Sequence, residues 1–241
     1  MATSAHLPLL DGRVHLTIGI NTADLANLGS EVRVLETAGA EVVHIDSMDG
    51  VFCPMTMGGP PLVKAIRTSL LKDSHLMIVD PVDKVADHVA AGADIITFQV
   101  ESTRHPHRVL QVLGKAVNAN DPERGIIRGV ALNPGTPVSA VEPLLDELEY
   151  ILVLAVNPGW GGQKFIESTA RRLAEAKQLI RRSGRSIVLG VDGGVTKESI
   201  ARVASMGPNL IVTGSAVFDG KDAPGNARFM LAAAAAAGPV L

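Results

Sequence analysis

The chain has 241 residues, a formal net charge of −3, and 46% hydrophobic against 20% charged residues. That balance supports a core large enough for one α/β barrel or at most two small domains, and the charge gives no reason to expect nucleic acid as a partner. One cysteine, Cys53, excludes a disulfide framework and fits a reducing, cytoplasmic setting, and no apolar run reaches membrane-spanning length.

Strand-like and helix-like runs alternate along the whole chain. The opening residues, Met1 to His6, lack the basic and apolar regions of a signal peptide. The first apolar run is 15–20, and Asn21 or Thr22 is placed to cap a helix over 23–37 that Gly39 stops. A second strand starts near 41 and ends at the turn marked by Gly50. A long loop of small residues follows, and Pro60-Pro61 opens a helix to about 71. Strands are then expected at 75–79, 94–100, 129–133, 150–156, 187–192 and 209–213. Helices are expected at 80–92, 105–117, from 139, at 167–182, after a cap at Thr196, and after Gly214-Ser215. The alanine run 232–237 reads as the end of the last helix. Eight apolar strands in strict alternation with helices, one domain over 1–241, predict a single (β/α)8 TIM barrel. A doubly wound open sheet is the competing architecture.

In such barrels chemistry sits at the carboxyl ends of the strands. Residues two apart on a strand share a face, so His44 and Asp46 point the same way. A histidine and a carboxylate on a buried face are costly unless paired, and a divalent metal would pair with both. His75 lies in another apolar strand, and Asp192 ends a third. Together His44, Asp46, His75 and Asp192 make a four-ligand site; zinc leads, while iron, manganese and cobalt stay open. Asp46 and Asp192 come from different strands and can flank a substrate. Asp49 reads as a loop-fixing residue.

Glycine clusters follow the last three strands: Gly159, Trp160, Gly161 and Gly162, then Gly193 and Gly194, then Gly214 and Ser215. Their backbone N–H groups are suited to a phosphate, because glycine allows close approach to an anion. Met48, Met55 and Met77 read either as core filler or as an apolar wall around a reactive intermediate.

From about His15 to Phe218 the chain resembles the ribulose-phosphate 3-epimerase family. The resemblance rests on stretches such as His44-Ile45-Asp46-Ser47-Met48-Asp49-Gly50, His75-Leu76-Met77, Val156-Asn157-Pro158-Gly159-Trp160-Gly161-Gly162-Gln163-Lys164-Phe165 and Val191-Asp192-Gly193-Gly194. It implies a metal-dependent barrel enzyme of carbohydrate metabolism that inverts C3 of a ketose phosphate through a metal-stabilised enediolate. Asp46 matches the family's proton acceptor and Asp192 its proton donor. The same four residues match its metal ligands. His75 and the glycine loops match substrate contacts. D-ribulose 5-phosphate to D-xylulose 5-phosphate is the implied pentose phosphate pair, and a homo-oligomer is expected.

The chain departs from the family pattern at Gly19, where serine is usual, and at Val51, Met55, Gln99 and Leu154. These positions bear on the substrate. Allulose 6-phosphate or a tetrulose phosphate is therefore an alternative, as is a non-catalytic phosphosugar-binding barrel. A metal-free barrel lyase or isomerase would need a strand-end lysine, and none falls in the eight expected strands.

Overall fold

The computed structural model describes residues 9–236. Eight parallel strands close into a barrel: β1 (His15–Gly19), β2 (Val42–Asp49), β4 (Leu71–Met77), β5 (Ile95–Gln99), β6 (Ile127–Leu132), β7 (Tyr150–Leu154), β8 (Val188–Asp192) and β9 (Leu210–Thr213). The β1–β2 pairing, Gly19 against His44, completes the ring. A short strand β3 (Thr56–Met57) folds back antiparallel on the end of β2. Seven α-helices lie among the described residues: α1 (Leu28–Ala38), α2 (Pro60–Ala65), α3 (Val85–Ala90), α4 (Pro106–Leu113), α5 (Thr169–Ser183), α6 (Ile200–Ser205) and α7 (Ala223–Ala235). The expected (β/α)8 architecture is present. Residues Met1 to His6 and Ala237 lie outside the described residues.

Several local expectations are corrected. The helix expected from residue 139 is a 3-10 run, Val138–Leu144, because Pro143 inside it cannot donate to an α-helical ladder. Neither Asn21 nor Thr22 caps α1: two 3-10 turns intervene, and the Asp24 side chain accepts from the Ala26 N–H instead. Thr196 does not cap α6, which starts four residues later. Helices α2, α3 and α4 are shorter than expected, and β4 starts at Leu71 rather than 75. A lysine, Lys72, therefore does lie in a strand. It sits at the amino end, where its Nζ donates to the Val63 and Ile66 carbonyls, away from the carboxyl ends of the strands.

Alternation along each strand divides the apolar residues between two cores. Ile18, Val43, Ile45, Leu76, Ile96, Phe98, Val130, Ile151, Val153, Leu189, Val191 and Ile211 face the helices. Val42, Ile95, Ile127, Tyr150, Leu152, Val188 and Leu210 fill the barrel interior, with Leu9 beneath them. Each such buried aliphatic contributes roughly 1.5–3 kcal/mol relative to an exposed one. Tyr150 spans the interior because glycine stands on both neighbouring strands: a Cβ at Gly129 on β6 or at Gly190 on β8 would clash with its ring. This filled lower half forces the polar inward residues His44, Asp46, His75, Gln99 and Asp192 into the upper half.

Candidate active site

Strand register brings the site together. His44 pairs with Asp73 and Asp46 with His75 across β2 and β4. Asp192 ends β8 on the far side. One ligand atom from each of His44, Asp46, His75 and Asp192 lies within 4.8 Å of the others. His44 Nε2 is 3.0 Å from Asp46 Oδ1, and His75 Nδ1 is 3.3 Å from that oxygen and 3.8 Å from Asp192 Oδ2. Ligands of a tetrahedral ion with bonds of about 2 Å stand roughly 3.3 Å apart. His75 Nδ1 is buried and has no hydrogen-bond partner among the described residues, although it faces two carboxylates. The donor set and this orphaned nitrogen fit a divalent metal ion.

The two carboxylates differ. Burial alone would raise the Asp46 pKa, but the His44 and His75 rings outweigh burial and hold it well below the usual carboxylate range. Asn21 Nδ2 also donates to Asp46 Oδ2 at 3.0 Å. Burial pushes Asp192 up to about 6; the negative charges of Asp46 and Asp73 add to the shift and the two histidines oppose it. His44 is itself clamped. Its Nδ1 is 2.8 Å from the fully buried Asp73, and despite burial Asp73 and Asp46 raise its pKa well above the ordinary value. Below them burial, then Asp73 and Asp192, keep the Tyr150 hydroxyl protonated far above its usual range.

A cavity of about 500 Å3 opens above this cluster. His44, Asp46 and Asp192 reach it, while His75 is buried beneath. Met48, Met55 and Met77 form an apolar part of its wall, as do Leu154 and Val156. The other rim is built from Gly159, Trp160, Gly161, Gly162, Gly193, Gly194, Gly214 and Ser215. Gly194 has φ +67, and a Cβ there would come within 2.5 Å of the Phe165 nitrogen, so the two rim loops meet only if this residue is glycine. Asp49 fixes its loop, as expected, by accepting from the Val51, Phe52 and Val79 N–H groups.

The departures noted in the sequence separate in space. Gly19, Met55 and Leu154 line the cavity, Gln99 is buried beside His75, and Val51 is 76% exposed and outside the cavity wall. Sequence reasoning missed Asn21, Asp73, Thr196 and Ser199. Asn21 directly follows an apolar strand, a position that suits a helix cap and a strand-end site residue equally. The hydroxyl-bearing Thr196 and Ser199 lie on the rim beside Gly193-Gly194. Arg172, also missed, is buried on α5 and ties the ends of β6 and β7 by donating to the Leu132, Asn133 and Leu154 carbonyls.

Residues 15–218 match the profile of the family described as "Ribulose-phosphate 3 epimerase family". The chain is 42% identical over 206 residues to "Ribulose-phosphate 3-epimerase" of Bacillus subtilis (strain 168), covering 84% of this chain and 91% of that one. It is 42% identical over 207 residues to "Ribulose-5-phosphate-3-epimerase, chloroplastic" of Arabidopsis thaliana, covering 84% of this chain and 71% of that one. Among solved structures, 3-hexulose-6-phosphate synthase from Salmonella typhimurium superimposes with a TM-score of 0.69 at 16% identity, over 93% of this chain and all (100%) of that one. That likeness concerns the fold alone.

Proposed function

The chain belongs to the ribulose-phosphate 3-epimerase family, and from that premise we propose that it inverts C3 of a ketose phosphate, converting D-ribulose 5-phosphate to D-xylulose 5-phosphate. The observation that carries this reading is the convergence of His44, Asp46, His75 and Asp192 at the floor of one cavity. These four residues would hold one divalent ion, zinc first by the chemistry of the nitrogen and oxygen donors. When bound, the ion supplies Lewis-acid polarisation of the substrate's C2 carbonyl.

The chain's own residues move the proton. Asp46, held ionised by its histidine partners, accepts the C3 proton. Asp192, at the end of β8 on the other side of the cavity floor, delivers a proton to the opposite face. Two carboxylates from different strands, facing one cavity, supply a base and an acid from one site. The Met48, Met55 and Met77 wall limits water around the enediolate. The substrate phosphate would sit at Gly161, Gly162, Gly193, Gly194, Gly214 and Ser215, with the Thr196 and Ser199 hydroxyls beside it. The functional unit is one barrel domain, assembled as a homo-oligomer in the cytoplasm; buried, unpaired Cys53 accords with a reducing setting.

A second reading concerns the substrate. Gly19 and Met55 leave one side of the cavity with fewer polar groups than the family pattern has, which favours another phosphorylated ketose as a competing substrate. The test is incubation of zinc-loaded protein with D-ribulose 5-phosphate in D2O. Xylulose 5-phosphate carrying deuterium at C3 is expected. No product and no C3 exchange would refute the proposal, and faster turnover of another ketose phosphate would establish the second reading.

A further inference from the structure

The two histidines of the cluster are held by different chemistry. His44 Nδ1 faces a carboxylate, Asp73, whereas His75 Nε2 faces the neutral side-chain amide of Gln99 at 2.9 Å. Gln99 is fully buried at the end of β5 and has no face on the cavity. Anything it does for the reaction must therefore pass through His75.

A neutral imidazole carries one N–H, and the hydrogen bond made by one ring nitrogen decides whether the other presents a lone pair. The nitrogen of His75 that faces Asp46 and Asp192 is Nδ1. For Nδ1 to offer a lone pair, the proton must sit on Nε2, and Nε2–H needs an acceptor. The atom of Gln99 placed against it is the amide nitrogen, Nε2, while Gln99 Oε1 is buried without a partner among the described residues. A half-turn of the amide exchanges those two atoms within the same volume. Amide nitrogen toward the ring puts the imidazole proton on Nδ1, facing Asp46. Amide oxygen toward the ring puts it on Nε2 and frees Nδ1.

We propose that Gln99 is a positioning residue for the metal centre: with its amide oxygen accepting from His75 Nε2–H, it sets the tautomer that presents Nδ1 to a divalent ion. The proposal rests on the metal-site reading above. Partners of this kind fix ring orientation, and losing one typically weakens metal binding about 10- to 100-fold.

The test measures Zn2+ dissociation constants by competition with a chromophoric chelator for wild type, Gln99→Met and Gln99→Glu at one pH. Gln99→Met keeps the length and removes the acceptor, so a 10- to 100-fold weaker Kd is expected. Gln99→Glu accepts but cannot donate, so it should bind Zn2+ at least as tightly as wild type. In the zinc-loaded wild type, NMR should show the His75 proton on Nε2, protected from exchange, and that protection should be lost in Gln99→Met. Should Gln99→Met fail to fold, wild type against Gln99→Glu decides alone. A Gln99→Met protein within twofold of wild type, or a Gln99→Glu protein weakened tenfold or more, overturns the inference while leaving the metal site standing. A wild type that binds no Zn2+ overturns both.

Discussion

The amino and carboxyl ends of the barrel strands handle buried charge in opposite ways. At the amino end the buried carboxylates meet cations or amide donors. Asp94 accepts from the Lys72 N–H at 2.9 Å, from Asn118 and Asn120 at 3.2 and 3.1 Å, and from Arg124. His15 lies between Asp11 and Glu41, and Arg128 pairs with Glu149. At the carboxyl end three acids, Asp46, Asp73 and Asp192, crowd two histidines. Asn21 Oδ1, Asp73 Oδ1, His75 Nδ1 and Gln99 Oε1 find no partner among the described residues. A region whose polar groups satisfy one another is built for stability. A region that leaves them unsatisfied is suited to receive a cation and a substrate.

The sharpest way to break the comparison is to neutralise one acid at the carboxyl end. Asp46→Asn should lower kcat/KM by about 10^3, within the usual range for removing a proton-transfer group, and should also stop C3 proton exchange. Asp192→Asn should abolish epimerisation as severely while leaving slow exchange of the C3 proton through Asp46. Wild-type turnover by either variant would remove that residue from the mechanism. His75→Ala, assayed by metal analysis of the purified protein, should lose bound metal together with most activity.

At the amino end the same kind of change should cost stability and spare activity. Asp94→Ala leaves Arg124 without its carboxylate and the Lys72 N–H without its acceptor, while Asn118 and Asn120 each lose one of two acceptors. A loss on the order of 3 kcal/mol is expected, lowering Tm by roughly 6–12 °C, with kcat/KM within twofold at 25 °C. A large fall in activity without a fall in Tm would show that the division between the two ends is false.

Acidity sharpens the contrast further. Asp192 titrates at about 6 when folded against an ordinary value of 3.8. The folded chelated protein therefore binds more protons than the unfolded chain between those values. Its contribution is fully present below pH 3.8 and is lost as pH rises through about 6, on the order of 3 kcal/mol. Asp46 has the opposite sign: its depressed pKa adds stability above the ordinary carboxylate value, lost only at lower pH. Urea unfolding of chelated wild type and Asp192→Asn across pH 4–7 should show the slope in the former and its absence in the latter. Equal slopes would refute the assignment.

The smallest effect belongs to the cavity wall. Gly19 has ordinary extended backbone angles, and a Cβ there would meet Thr213 O at 3.7 Å and Gly214 Cα at 3.9 Å, so a serine fits. Gly19→Ser should raise kcat/KM for ribulose 5-phosphate over a competing ketose phosphate by about tenfold. An unchanged ratio would make Gly19 neutral to specificity.

The alternation of apolar strands with helices was enough to determine the barrel, because each strand carries one residue set for the interior and one for the helices. It also indicated which residues would cluster, because His44, Asp46, His75 and Asp192 sit at strand ends, where closure must bring them together. Local spacing did not reveal that Pro143 would hold one connection in a 3-10 turn, or that Asn21 would turn from capping to Asp46. What only tertiary structure decided is the pairing across strands: Asp73 against His44, Gln99 against His75, Tyr150 in the space left by Gly190, and Val51 turned away from the cavity. These depend on register around the ring. The neighbours that set each residue's charge, tautomer and room lie on strands up to some 40 residues apart in the chain, and side-chain spacing within one strand carries no record of them.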